Sequence, residues 1–239
     1  MAVALVIQHV EVEGPALLGD ALRDRGCDLD IRHAYRGEPI PSNLGTHDAL
    51  VVLGGPMSAG SDDGFPTRRA ELNLIADALR QVRPTLGICL GAQLLAVVAG
   101  SSVARGPHPE IGFGYVHLTT AARTDALFSG LPPEVPVLHW HSETFEVPTG
   151  GLHLAASASY ESQAYRLGAL AWGLQFHVEI DRAALDRIAA AFPHEANAIP
   201  GGAATVLSQA DDALPRMSTT HAHVLGRFAD LVLSQAGGL

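Results

Sequence analysis

Leu86-Gly87-Ile88-Cys89-Leu90-Gly91-Ala92-Gln93 reads as an apolar strand that turns sharply into a helix through the pattern G-x-C-x-G. A nucleophile on such a turn takes up a strained backbone. Glycines two residues before and two after it relieve the crowding and leave its side chain exposed. Cys89 also falls at the start of the helix, where the dipole is expected to lower the thiol pKa and favour the thiolate. A buried structural cysteine is the competing reading, because free cysteine is among the most buried residue types. Cys27, at the start of a strand with no such turn, keeps that reading.

Working outward, Ala2 to Ile7 is a β-branched-rich apolar run, a strand buried on both faces. Ala16, Leu17, Leu18, Ala21 and Leu22 cluster on one side of a helix ending near Gly26, and Cys27 to Arg32 returns as a strand. Asp48 to Leu53 is another apolar strand, Thr67 to Arg80 has helical periodicity, and Thr85 to Ile88 leads into the cysteine turn. Strands alternating with helices predict an α/β fold, with a mostly parallel central sheet flanked by helices on both faces. Ligands then collect at the carboxyl ends of the strands. After Gly100 the pattern changes, and Ile111 to Thr119, Val137 to Trp140, Leu152 to Ser157 and Ala169 to Phe176 predict a smaller mixed or antiparallel sheet. Helix returns in a C-terminal segment, 181–239, at Arg182 to Phe192 and Thr219 to Ser234, on either side of the Pro200-Gly201-Gly202 break. The Pro/Gly stretches are short enough to be turns, so 1–239 is expected to form a single domain.

Composition narrows the chemistry. All fifteen basic residues are Arg, which excludes a P-loop, a kinase strand lysine and a Schiff base. A net charge of −10 with scattered arginines carries no footprint of a nucleic-acid partner. Two cysteines and no signal-peptide pattern fit a cytoplasmic location. The charge-free stretch between Arg83 and Arg105 is interrupted by Pro84, Gly87, Gly91, Gln93 and Gly100, so it reads as strand, turn and buried helix, and no membrane association is expected.

A thiolate nucleophile needs a base to carry its proton and a third group to orient that base. In Gly173-Leu174-Gln175-Phe176-His177-Val178-Glu179, strand alternation puts His177 and Glu179 on one face at a strand end, where the carboxylate can select the imidazole tautomer. Gly54-Gly55-Pro56, at the end of another strand, lets backbone approach a reacting carbonyl and aim an N–H at its developing charge.

Together, Val52-Leu53-Gly54-Gly55-Pro56-Met57-Ser58, Gly87 to Gln93 and Gly173 to Glu179, in that order, make the chain resemble a class I (triad) glutamine amidotransferase domain over most of its length. It looks like the stand-alone members similar to the glutaminase domain of GMP synthase, with a flavodoxin-like fold. The resemblance implies that Cys89 attacks the side-chain amide of glutamine, that His177 carries the proton to the leaving ammonia, and that Glu179 orients His177. Water then hydrolyses the glutamyl thioester. It also implies an oxyanion hole from the backbone N–H groups of Gly55 and Leu90, and substrate contacts from Gly54 and Gln93.

His139-Trp140-His141-Ser142-Glu143-Thr144-Phe145 resembles the segment lining the glutamine pocket in stand-alone members, with backbone contacts from His141 and Ser142. No third ligand accompanies His139 and His141 at a recognisable spacing, so no metal is expected. No cofactor is implied. The chain lacks room for a synthetase, which leaves two functions: release of ammonia from glutamine to a separate synthetase partner, or self-contained hydrolysis of a γ-glutamyl amine or peptide. A catalytically silent binding or regulatory subunit is the third reading, against which stands the presence of Cys89, His177 and Glu179 together.

Overall fold

The computed structural model describes residues 1–237, and in it the apolar run Ala2–Gln8 is strand β1, buried at every position but Val3. Helix α1 (Ala16–Arg23) follows, then β2 (Cys27–His33), β3 (Ala49–Val52), α2 (Arg68–Arg80), β4 (Thr85–Ile88) and α3 (Leu90–Val98). Strands β2, β1, β3 and β4 lie side by side and run parallel.

Alternation sorts the apolar side chains of these strands to two cores. Ala4, Val6 and Val51 pack with Leu18 and Leu22 of α1, whereas Leu5, Ile7 and Leu50 pack with Leu74 and Ile75 of α2 and Leu94 of α3. Each such buried Leu or Ile stabilises by about 2 kcal/mol. The charge-free stretch between Arg83 and Arg105 supplies β4 and α3 to this interior. Among the described residues no helix is long and apolar enough to cross a membrane.

The second half adds β5 (Val103–Leu118), β6 (Glu134–Phe145), β7 (Leu152–Ala156), β8 (Ala164–Leu167) and β9 (Ala171–Leu174). Strand β9 pairs parallel with β4, and from it the sheet continues antiparallel through β8, β7, β5 and β6. The result is one nine-stranded sheet, so the antiparallel portion expected as a smaller sheet is an extension of the parallel one. The order β2-β1-β3-β4-β9 is that of flavodoxin-like doubly wound sheets.

Helices α4 (Arg182–Ala191), α5 (Pro193–Ala196) and α6 (Gly202–Ala236) complete the C-terminal segment. Asp181 caps α4 by accepting from the Ala184 N–H at 2.7 Å. Helix α6 crosses both halves: Val224, Leu225 and Phe228 join the core around α1, and Val206 and Met217 pack with Leu138, Trp140, Leu185 and Ile188. The expected extents 1–239 and 181–239 both run onto residues 238 and 239, which lie outside the described residues.

Candidate active site

Cys89 stands where β4 gives way to α3, with φ 51° and ψ −108°. Backbone of this kind costs a residue with a side chain about 1–3 kcal/mol and persists only where its surroundings over-determine it. The flanking glycines supply that constraint. A Cβ on Gly87 would lie 2.5 Å from the Gly91 carbonyl carbon, and one on Gly91 would collide with the Val52 carbonyl oxygen. The turn is tied to β9 by the Cys89 N–H, which donates to the Leu174 carbonyl at 2.8 Å. The thiol is less accessible than its turn suggests, with 8% of Cys89 exposed. Burial therefore pushes the thiol pKa up, opposed by the nearby His177, which is the opposite direction from the lowering expected at the helix start.

Strand β9 ends at Leu174, so His177 and Glu179 leave the sheet. Phe176 and Val178 anchor the segment in the core, and the His177 N–H donates to the Leu138 carbonyl at 2.9 Å. The His177 Nδ1–H then donates to Glu179 Oε1 at 2.6 Å, while the Val178 N–H holds Glu179 Oε2 at 3.0 Å. Burial alone would lower the His177 pKa, yet the charge of Glu179 and the neighbouring Cys89 sulfur carry it well above its ordinary value. Cys89 and His177 line one recess, where the thiol donates to the Trp140 carbonyl at 3.7 Å.

The Gly54-Gly55 turn closes over this pair. A Cβ on Gly55 would sit 2.9 Å from His9 Cβ and 3.1 Å from Leu90 Cδ2, so the turn can approach Leu90 only as glycine. Among the described residues the backbone N–H groups of Gly55 and Leu90 donate to no protein acceptor. Gly54 faces Glu13 and His177, its carbonyl accepts from His9 Nδ1 at 2.9 Å, and it does not line the recess. His9 Nε2 donates in turn to Glu71 Oε2 at 2.8 Å. With an acceptor on each ring nitrogen His9 is an imidazolium; burial opposes this, and hydrogen bonding and charge from Glu71 raise its pKa.

Beside Cys89 opens a cleft of about 260 Å³. Gly55, Gln93, His141, Ser142, Glu143 and Arg105 are on its walls. Gln93 Nε2 donates to the Glu143 carbonyl at 3.3 Å and to Gln175 Oε1 at 3.1 Å, and Gln175 Nε2 reaches Cys89 Sγ at 3.7 Å. The imidazole of His141 is buried behind the wall, and Nδ1 donates to the Glu143 carbonyl at 3.1 Å. On the other side of Cys89 is a recess of only about 20 Å³, walled by Glu13, Trp140, His177 and Glu195. Trp140 Nε1–H donates to Glu195 Oε2 at 2.7 Å, and burial pushes the Glu13 carboxyl up to about 7.

Every residue expected at the site is thus gathered around Cys89. The structure adds Gln175, which the Gly173 to Glu179 motif contains without a role, and His9, Glu13, Glu71, Arg105 and Glu195, isolated polar residues to which no short motif points. It also corrects one premise: a third potential metal ligand does stand beside His139 and His141, for Glu110 of β5 brings a carboxylate to them, with all three donor atoms within 4.8 Å. A buried thiol, an imidazole fixed by a carboxylate and two free backbone N–H groups beside an open cleft suit acyl transfer through a covalent intermediate.

The family model described as glutamine amidotransferase class-I matches residues 16–187. Over 159 residues the chain is 33% identical to the glutamine amidotransferase-like protein YfeJ of Salmonella typhimurium, covering 65% of this chain and 66% of that protein. It is 34% identical over 178 residues to the glutamine-hydrolysing GMP synthase of Porphyromonas gingivalis, covering 74% of this chain but 33% of the synthase. The match therefore spans just under two thirds of the first relative and about a third of the second. The crystal structure of a glutamine amidotransferase from Thermotoga maritima superposes with a TM-score of 0.86 at 29% identity, covering 97% of this chain and 98% of that one.

Proposed function

The chain belongs to the class-I glutamine amidotransferase family of cysteine-dependent amide hydrolases, and we propose that it hydrolyses the γ-amide of glutamine through Cys89, His177 and Glu179. The observation that carries this reading is the buried Glu179–His177 pair, with His177 and Cys89 lining one recess closed over by the Gly54-Gly55 turn. Glu179 makes the buried imidazole basic enough to take the proton of a thiol that burial alone would keep neutral. The sulfur attacks the amide carbon, and the oxygen takes negative charge facing the N–H groups of Gly55 and Leu90, each worth about 3 kcal/mol. As the tetrahedral adduct collapses, the imidazolium gives its proton to the leaving nitrogen and ammonia departs. Water, deprotonated by His177, then cleaves the thioester to glutamate and restores the thiol.

The cleft fits the rest of the substrate. Gln93, His141, Ser142, Arg105 and Glu143 surround the space beside Cys89, and the charges of Arg105 and Glu143 suit an α-carboxylate and an α-ammonium. The leaving-group side is the recess of about 20 Å³, room for little more than one water, which supports ammonia as the product released there. A synthetase that takes up that ammonia accords with the match to a glutamine-hydrolysing GMP synthase.

Glu13 and Glu195 favour a second reading, because two carboxyls beside Cys89 and His177 also suit a cationic leaving group. On that reading the chain is a self-contained hydrolase of γ-glutamyl amines, its recess widening as substrate enters. Ammonia or amine release measured on glutamine and a panel of γ-glutamyl amines tests both. Turnover of glutamine above all amines supports the first reading, selective turnover of an amine supports the second, and no turnover of any γ-glutamyl compound sinks both.

A further inference from the structure

We propose that Glu110, His139 and His141 form a binding site for a divalent transition-metal ion, zinc in the first instance, behind the wall of the cleft. The sheet register builds it. Glu110 of β5 pairs directly with His141 of β6, and His139 lies two residues along, on the same face. Pro107 and Pro109 cannot donate to the ladder, and the register shifts between Arg105 and Glu110. That shift seats the carboxylate opposite the imidazole.

The cluster's hydrogen bonding is incomplete. The Glu143 carbonyl can only accept, so His141 Nδ1 donates to it, and His141 Nε2 lies 3.1 Å from Glu110 Oε2. His139 Nδ1 is 3.4 Å from the same oxygen, buried and without a hydrogen-bond partner. The donor that does approach is the Gln163 amide, 2.6 Å from Glu110 Oε2 and 3.5 Å from His141 Nε2, while its own buried Oε1 has no partner. One buried imidazole nitrogen and one buried amide oxygen thus lack partners beside the Glu110 carboxylate, where a cation would satisfy them. Turning the Gln163 amide over would add Oε1 as a fourth ligand.

The chemistry of the donors fits a metal ion. Two imidazoles, a carboxylate and a carbonyl-type oxygen suit zinc, and a ligand histidine whose other nitrogen donates to a backbone carbonyl is a recurrent outer-shell arrangement. The side chains of His139 and His141 are 4% and 1% exposed, which favours a structural ion over one that meets substrate. Such an ion would fasten β5 to β6 where the ladder is broken, and so fix the backbone of His141 to Glu143 along the cleft.

The test uses untagged full-length protein, stripped with a chelator and dialysed against Zn²⁺ or, separately, Co²⁺. The expected results are one zinc per chain, a higher Tm with zinc, and a tetrahedral cobalt spectrum lacking a thiolate-to-cobalt charge-transfer band. Glu110→Gln, which keeps the side-chain shape, should weaken binding at least tenfold while its circular dichroism stays that of the wild type. Absence of stoichiometric zinc overturns the proposal, as does undiminished binding by folded Glu110→Gln. A thiolate band would place the ion at Cys89 instead and overturns it without reference to the variants. These readouts do not involve glutamine turnover, so the proposal stands or falls apart from the catalytic reading.

Discussion

His177 Nδ1 donates to Glu179 Oε1 across 2.6 Å, with 3% and 4% of the two side chains exposed. In a site this dry the carboxylate acts by charge as well as by position, since burial alone would keep the imidazole neutral. Glu179→Gln keeps an oxygen that can accept from Nδ1 and removes only the charge. Its kcat for ammonia release should fall by about 10²–10⁴ with unchanged circular dichroism, in the range of general-base and triad losses. A kcat within threefold of wild type would remove Glu179 from the proton path.

Cys89 combines a proposed chemical role with a strained backbone, and the two can be separated. Cys89→Ala and Cys89→Gly should both abolish ammonia release. Glycine accepts φ 51° without the Cβ penalty that alanine keeps. Cys89→Gly should therefore be more stable than Cys89→Ala by about 1 kcal/mol in denaturant unfolding. Equal stabilities would mean that the elbow stores no strain.

Beneath the glycine turn, His9 and Glu71 form a buried ion pair whose side chains are both fully inaccessible. His9→Ala leaves the Glu71 carboxylate without its partner and should cost about 3–5 kcal/mol. It also frees the Gly54 carbonyl, so kcat should drop together with Tm. His9→Leu combined with Glu71→Leu should recover much of the stability, which chemical denaturation can measure, without restoring the rate.

Glu13 sets a pH dependence of known sign. Burial raises its pKa from 4.5 to about 7, His177 and His9 opposing and Glu179 and Glu195 reinforcing. Between those values the folded chain keeps a proton that the unfolded chain has lost, so stability falls as pH rises through the interval. The contribution is fully present below about 4.5, is lost above about 7, and amounts to roughly 3 kcal/mol. Glu13→Gln should match wild type near pH 4, exceed it in stability near pH 8, and show a flatter profile between. A profile parallel to wild type would place the Glu13 carboxyl in water.

The motifs that meet at Cys89 were legible because each is local: Gly87 to Gln93 encodes its own turn, and His177 and Glu179 are two residues apart. Ala2–Gln8, Ala49–Val52 and Thr85–Ile88 followed from apolar runs to within a residue at each end. What escaped depends on distance or on broken patterns. Ala164–Leu167 is too short and too polar to announce β8, and Gly106-Pro107-His108-Pro109 reads as a loop although β5 runs through it. Glu110 meets His141 across 31 residues, and His9 meets Glu71 across 62, pairings that only the sheet register and the helix packing determine.

The early start of α6 was hidden by Pro215, which lies inside a helix running from Gly202 to Ala236, although the sequence pattern placed its beginning near Thr219. Proline removes the N–H that would bond to the Asp211 carbonyl and crowds that carbonyl with its ring. The helix continues because Val206 and Met217, on either side of the break, are both held in the core with Leu138 and Trp140. Arg216 Nε donates to the next carbonyl along, that of Asp212, at 2.9 Å. Packing thus overrides a local defect worth about 3 kcal/mol in an isolated helix. Pro215→Ala should raise stability by about 1–3 kcal/mol in urea unfolding and leave kcat unchanged, because Pro215 lies outside the cleft around Cys89. A loss of stability would show that the proline conformation is itself required where α6 passes from one core to the next.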